Sequence, residues 1–173
     1  MRKKIGELDL NKILLEIKDK VYDKCLLQIT DFKVENESTD YDGCQFELNG
    51  VYVICRNAKI TPKKNGQFVT FWRRNENRQT EPFNDADNFN YYIVNVRADN
   101  KLGQFVFPKS EMIKQGIVSS DSKVGKRAIR VYPPWDEAKS KQAENTQKWQ
   151  IKYFYRIDYA LDLEKVKKLY KIN

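Results

Sequence analysis

The dipeptide Asn49-Gly50 joins two strand-like segments, "CQFELNG" and "VYVICRNAKI", and no other feature constrains the fold as much. Asn-Gly supplies the left-handed backbone that a two-residue hairpin requires. Three further runs follow. "QFVTFWRR" comes after a turn at Lys64-Asn65-Gly66, then come "NYYIVNVRA" and "GQFVFP". A polar loop, Asn75 to Asp87, separates the third run from the fourth. Such closely spaced strands demand a sheet.

Helical signals frame that sheet. Leu10, Ile13, Leu14, Ile17, Val21 and Cys25 recur at three- and four-residue steps, which predicts an amphipathic helix over 8–28 with Asp9 as its cap. "PKSEMIKQG" reads as a short helix closed by Gly116. "AIRVYPPW" is a strand that its double proline ends. Asp136 to Lys148 is expected to be helical with Asp136 as cap, and "WQIKYFYRI" a strand by alternation. Residues 162–171 close the chain as a helix. The expectation is a single domain over 1–173, with a sheet-rich core over 41–156. Its class is α/β (α+β), a mixed sheet flanked by helices.

With 173 residues the chain can bury a substantial core, and 40% hydrophobic content argues against disorder. No apolar run reaches membrane-spanning length, and "MRKKIGELDL" lacks a signal-peptide core. A soluble, cytoplasmic protein with no membrane insertion is expected. The chain has no histidine, which excludes Ser-His-Asp and Cys-His catalysis and any His-ligated metal. Its three cysteines show no CxxC spacing and read as reduced core thiols.

The net charge of +8 favours polyanionic partners, nucleic acid first. The charge is segregated. Residues 35–49 carry five acids and no base, whereas residues 56–78 carry seven bases and one acid. Neighbouring strands would set these two blocks side by side. A second basic cluster holds Lys123, Lys126, Arg127 and Arg130. Basic blocks interleaved with Phe68, Phe71, Trp72, Tyr132 and Trp135 fit nucleic-acid binding, where cations neutralise phosphate and rings stack on bases. The candidates are Arg56, Lys59, Lys63, Lys64, Arg73 and Arg74 on one wall, and Lys126, Arg127 and Arg130 on another. Trp135 is the aromatic candidate for base contact. Phe68 and Phe71 read as core.

Three segments carry a family resemblance: "RNAKITPKKNGQFVTFWRR", "GQFVFPKSEMIKQGI" and "GKRAIRVYPPWDEAKSKQAENTQKWQIKYF". In order and spacing they resemble the MepB-like proteins, from about Tyr41 to Phe154. That family is encoded beside a multidrug efflux pump and its repressor in some Gram-positive bacteria. The resemblance implies a restriction-endonuclease-like fold, incomplete catalytic equipment and nucleic-acid binding. Nucleases of that fold place one acid on a strand and an acid-x-Lys motif on the next. The acids hold Mg²⁺ and the lysine orients or activates water.

Set against that pattern, Glu47 is the candidate first acid and the weak candidate metal ligand, with Asp42 as a substitute near the strand's start. Asn57-Ala58-Lys59 stands at the acid-x-Lys position. Lys59 is in place, but Asn57 replaces the acid, which makes a poor Mg²⁺ site. Gln67 offers a neutral contact. Asp87, Asn95 and Arg97 form a lower-ranked near-match. The plain structural alternative pairs Glu47 with Arg56 or Lys59 across the hairpin.

The leading expectation is a binder of DNA or RNA with low sequence specificity, no strong hydrolytic activity and no cofactor. One alternative is a Mg²⁺- or Mn²⁺-dependent nuclease that borrows an acid such as Glu37 or Asp42. Another is a protein-interaction accessory in drug-resistance regulation.

Overall fold

The computed structural model describes residues 9–172. The chain opens with α1 (Lys12–Ile17), which widens into a π-type turn over Lys18–Tyr22. β1 (Ile29–Val34), β2 (Cys44–Leu48) and β3 (Val51–Asn57) follow. The chain then makes short strands: β4 (Lys59–Thr61), β5 (Lys64–Thr70), β6 (Trp72–Arg74) and β7 (Thr80–Pro82). Next come β8 (Tyr91–Ala98), β9 (Lys101–Pro108), α2 (Lys109–Lys114), β10 (Ala128–Val131), α3 (Lys141–Gln150), β11 (Phe154–Arg156) and α4 (Leu163–Leu169).

The main sheet has six strands in the order β1-β2-β3-β8-β9-β11. Only β3 and β8 run parallel; the other neighbours are antiparallel. A parallel neighbour requires a crossover. Here it is the stretch between β3 and β8, whose β4 and β5 join β10 in a three-stranded second sheet.

Strand alternation sorts the core into two layers. Phe46, Val53, Cys55, Ile93 and Val106 face Leu14, Ile17 and Val21 of the N-terminal helix, with Val166 and Tyr170 at the C-terminus. Ile54, Tyr92, Val94, Phe105 and Phe107 face the second sheet and α2. The mixed sheet flanked by helices is therefore present, with the second sheet sharing one of its faces.

Asn49 (φ 50°) and Gly50 (φ 82°) both sit in the left-handed region, as the hairpin signal requires. The closing helix also forms, with Asp162 as cap. Elsewhere the structure corrects the expected elements. The first helix begins at Lys12 and Asn11 caps it, with its side chain accepting from the Leu14 N–H. Its expected first residue, 8, lies outside the described residues. Ser140, not Asp136, caps α3. That helix runs through Trp149-Gln150, so the expected strand there shrinks to three residues, 154–156. β1 and β7 were not expected. "VYVICRNAKI" and "QFVTFWRR" each divide between two sheets, at Ala58 and Phe71. Periodicity registers an extended chain but not a change of sheet. Among the described residues, no helix is long and apolar enough to cross a membrane.

Candidate nucleic-acid interface

At the open end of the hairpin, Asp42 and Asn57 meet. The register pairs Cys44 with Cys55, and continuing it two residues puts Asp42 across from Asn57. The Asn57 amide Nδ2 donates to Asp42 Oδ2 at 3.0 Å and to Asn11 Oδ1 at 3.2 Å. Its Oδ1 accepts from Asn95 Nδ2 at 2.9 Å. Gln104 Nε2 donates to Asn95 Oδ1 at 2.8 Å, and Gln104 Oε1 accepts from the hydroxyls of Tyr155 and Tyr170. Tyr22 and Tyr170 share a further bond at 2.8 Å. Burial pushes all three tyrosine hydroxyls far up, so they stay protonated donors.

The polarity of this chain is forced. Asn11 Oδ1 already caps α1, and an ionised Asp42 only accepts. Asn57 must therefore turn its N–H groups to the acid and its oxygen inward. A cation at this point would meet the Asp42 carboxylate and the Asn11 amide oxygen but also the N–H groups of Asn57 turned towards both. Among the described residues, no group of three or more His, Cys, Asp or Glu side chains gathers to hold a metal ion. The donor set does not fit Mg²⁺ or Mn²⁺.

Glu47 does not reach this point. It pairs with Tyr52, five residues back along β3 from Asn57, or about 17 Å away by strand rise. The tight turn alone fixes that register, so Asp42 rather than Glu47 is the acid beside Asn57. The expected cross-hairpin pairing of Glu47 with Arg56 or Lys59 fails for the same reason. Lys59 has left the main sheet for β4, where its ammonium sits 5.1 Å from the Tyr41 ring centre. In the lower-ranked near-match, Asp87 holds Arg73 and the Asn84 N–H, and Arg97 pairs with Glu16. Only Asn95 joins Asn57. Gln67 is buried and donates to the Arg97 carbonyl at 3.2 Å.

The basic residues divide into two groups. Arg56 is fully buried, which corrects its assignment to a binding surface. It donates to Glu35 at 2.9 Å and to the carbonyls of Thr70 at 2.7 Å and Trp72 at 3.0 Å, tying β3 to β5 and β6. Burial pushes the Glu35 carboxyl above its usual range, against the pull of Arg56. Arg73 is bound to Glu81 and Asp87, and Arg74 pairs with Glu37 at 3.6 Å and lies over Trp72. The acidic block thus neutralises part of the first basic block. Arg127 is exposed and donates to the Thr80 carbonyl at 3.2 Å. Trp135 packs edge-on against Phe154 at 5.7 Å, with the Arg156 guanidinium 5.4 Å from its ring centre. Trp135 is half-buried and does not line the clefts that the basic residues form.

The second group converges. Lys64, Lys126 and Arg130 line a cleft of about 380 Å³ between β10 and α3. Lys63 and Lys64 line an adjoining cleft of about 300 Å³ with Arg130 and Lys139. Lys63, Lys64 and Lys126 are exposed and make no ion pair among the described residues. Arg130 is held by Thr61 Oγ1 at 2.7 Å and the Asn65 carbonyl at 3.2 Å, 5.8 Å from the Phe68 ring centre. Gly66 (φ 75°) lets the lysine turn close onto Tyr132, because a Cβ there would lie 2.7 Å from the ring. Tyr132 was among the aromatics flanking the basic blocks in the sequence, whereas Lys139 and Trp149 were missed. Only the packing of α3 on β10 brings them to the cleft.

The comparisons with known proteins agree with the sequence motifs. A family profile described as MepB-like matches residues 35–156. The crystal structure of MepB is 32% identical, with a TM-score of 0.75 over 87% of this chain and 99% of that chain. A bacterial homing endonuclease aligns at 13% identity and a TM-score of 0.43, over 82% of this chain and 93% of its own. No curated protein matches. With the profile covering most of its length and its fold shared with MepB, the chain belongs to the MepB-like family.

Proposed function

We propose that this protein binds nucleic acid without cleaving it, through the basic cleft beside α3. The carrying observation is that Lys64 and Lys126 line one cleft and Lys63 and Lys64 the adjoining one, all three exposed and without an ion pair among the described residues, with Arg130 fixed between them. Cations so placed neutralise phosphates, and binding of that kind carries little sequence information. On this reading the main sheet is a restriction-endonuclease-like scaffold whose acid-x-Lys position has lost its acid at Asn57. The outward N–H groups of Asn57 support that part of the reading, because they face the place a metal would need. The family resemblance supplies the association with drug efflux.

Fluorescence anisotropy with a labelled oligonucleotide over a salt series tests the proposal. Affinity is expected to fall steeply as salt rises. Alanine at Lys63, Lys64 or Lys126 should weaken binding to all sequences alike and flatten the log–log slope by about 1 each. Undetectable binding at low salt, or binding indifferent to salt, would rule the reading out. No strand scission is expected with Mg²⁺ or Mn²⁺ present.

A further inference from the structure

The cleft beside α3 holds more than a phosphate track requires. Ile117, Ile129 and Ala143 line it and are buried, so they add only small apolar patches beneath a mainly polar lining. Tyr132 and Trp149, both half-buried, add aromatic walls. Lys64, Lys126 and Arg130 supply the charge. A sugar-phosphate backbone needs only the cations. A nucleobase brings flat apolar faces, which stack on rings and bury against aliphatic groups. Its polar edge needs amide or hydroxyl partners, and Gln142 and Thr146 line the same cleft. The volume of about 380 Å³ lies near the lower end for small-ligand pockets.

The cleft is also braced. Gln147 Nε2 donates to the carbonyls of Pro133 at 3.0 Å and Asp136 at 2.9 Å. Gln150 accepts from the Tyr132 N–H at 2.8 Å and donates to the Arg130 carbonyl at 2.9 Å. Both glutamines belong to α3, and their partners belong to β10 and the turn after it. Opening the cleft wide enough for a duplex would break these bonds. Within a duplex, moreover, each base hides its faces in the stack.

We propose that this cleft takes an unpaired nucleotide, its phosphate among Lys64, Lys126 and Arg130 and its base against Tyr132 and Trp149. The protein's ligand is then single-stranded nucleic acid, or a strand with an extruded base. The proposal rests on the nucleic-acid reading above and adds strandedness to it.

The test compares a labelled oligothymidylate with its duplex by anisotropy, using the full chain, and follows tryptophan fluorescence in parallel. Single strands should bind about 5- to 100-fold more tightly than the duplex. Free thymidine monophosphate should quench the wild-type emission. Of the chain's three tryptophans only Trp149 lines the cleft, so Trp149→Phe should abolish that quench. Tyr132→Leu provides a second variant: it should lower single-strand affinity by a larger factor than duplex affinity. Equal affinity for both forms without quenching would overturn the proposal and leave the nucleic-acid reading standing. Failure to bind either form would remove both.

Discussion

Asn57 has two acceptors before its amide nitrogen, Asp42 and Asn11, and one donor, Asn95, behind its oxygen. An aspartate there would face Asp42 with like charge and lose both outward bonds. Asn57→Asp should therefore destabilise the protein by about 1–3 kcal/mol, read from the urea midpoint. It also creates a second carboxylate, so Mn²⁺ should raise the melting temperature of the variant but not of the wild type. Arg56 tests the other buried charge. Replacing it with alanine leaves Glu35, whose side chain is 8% exposed, without its counter-ion. Removing one partner of a buried pair costs about 3–5 kcal/mol. Arg56→Ala should lower the urea midpoint accordingly while folded protein keeps its affinity for oligonucleotides. A surface role for Arg56 predicts the reverse. The charge of Arg56 is plain in the sequence, but its burial is not. That depends on β5 and β6 supplying carbonyls to a guanidinium on β3.

Element boundaries follow the same logic. The Asn49-Gly50 turn was legible because two adjacent residues with positive φ set it by themselves. The break at Ala58 was not: its N–H still donates to the Asn95 carbonyl of β8, while the next residue, Lys59, pairs with Phe68 of β5, so the choice of sheet rests on distant partners. At the far edge of the sheet, Asp158 joins β9 to β11. It accepts from Arg156 Nε at 2.7 Å and from the Leu102 N–H at 3.1 Å. The Arg156 bond, foremost, holds its carboxyl down at about 2. The unfolded value is about 3.9, so Asp158 stabilises the fold fully above about pH 4 and loses that contribution as pH falls towards 2. Asp158→Asn should flatten the acid limb of the stability curve over that interval, measured as wild type minus variant by urea titration. The difference should hold steady above about pH 4 and shrink towards pH 2, and a difference that does not change across that interval would contradict the assignment.

Across the whole molecule, the net charge of +8 hides two populations. Arg56, Arg73 and Arg74 are bound to acids inside the fold or along its surface, while Lys63, Lys64 and Lys126 line two adjoining clefts without an ion pair among the described residues. The salt dependence of nucleic-acid binding should therefore count the lysines of the clefts and not Arg56, Arg73 and Arg74. Arg74→Ala should leave the slope unchanged where Lys64→Ala lowers it. By itself the sequence determined the hairpin and its register, the segregation of charge, the absence of histidine chemistry and the family motifs. Each of these is carried by residues close together in the chain. Only the tertiary structure decided that Asn57 is tied to Asn11 and Asn95, that Arg56 is buried and Trp135 lies outside the cleft, and that Tyr132 and Trp149 flank it. Those outcomes turn on contacts between distant segments, and local periodicity carries no information about which surfaces will meet.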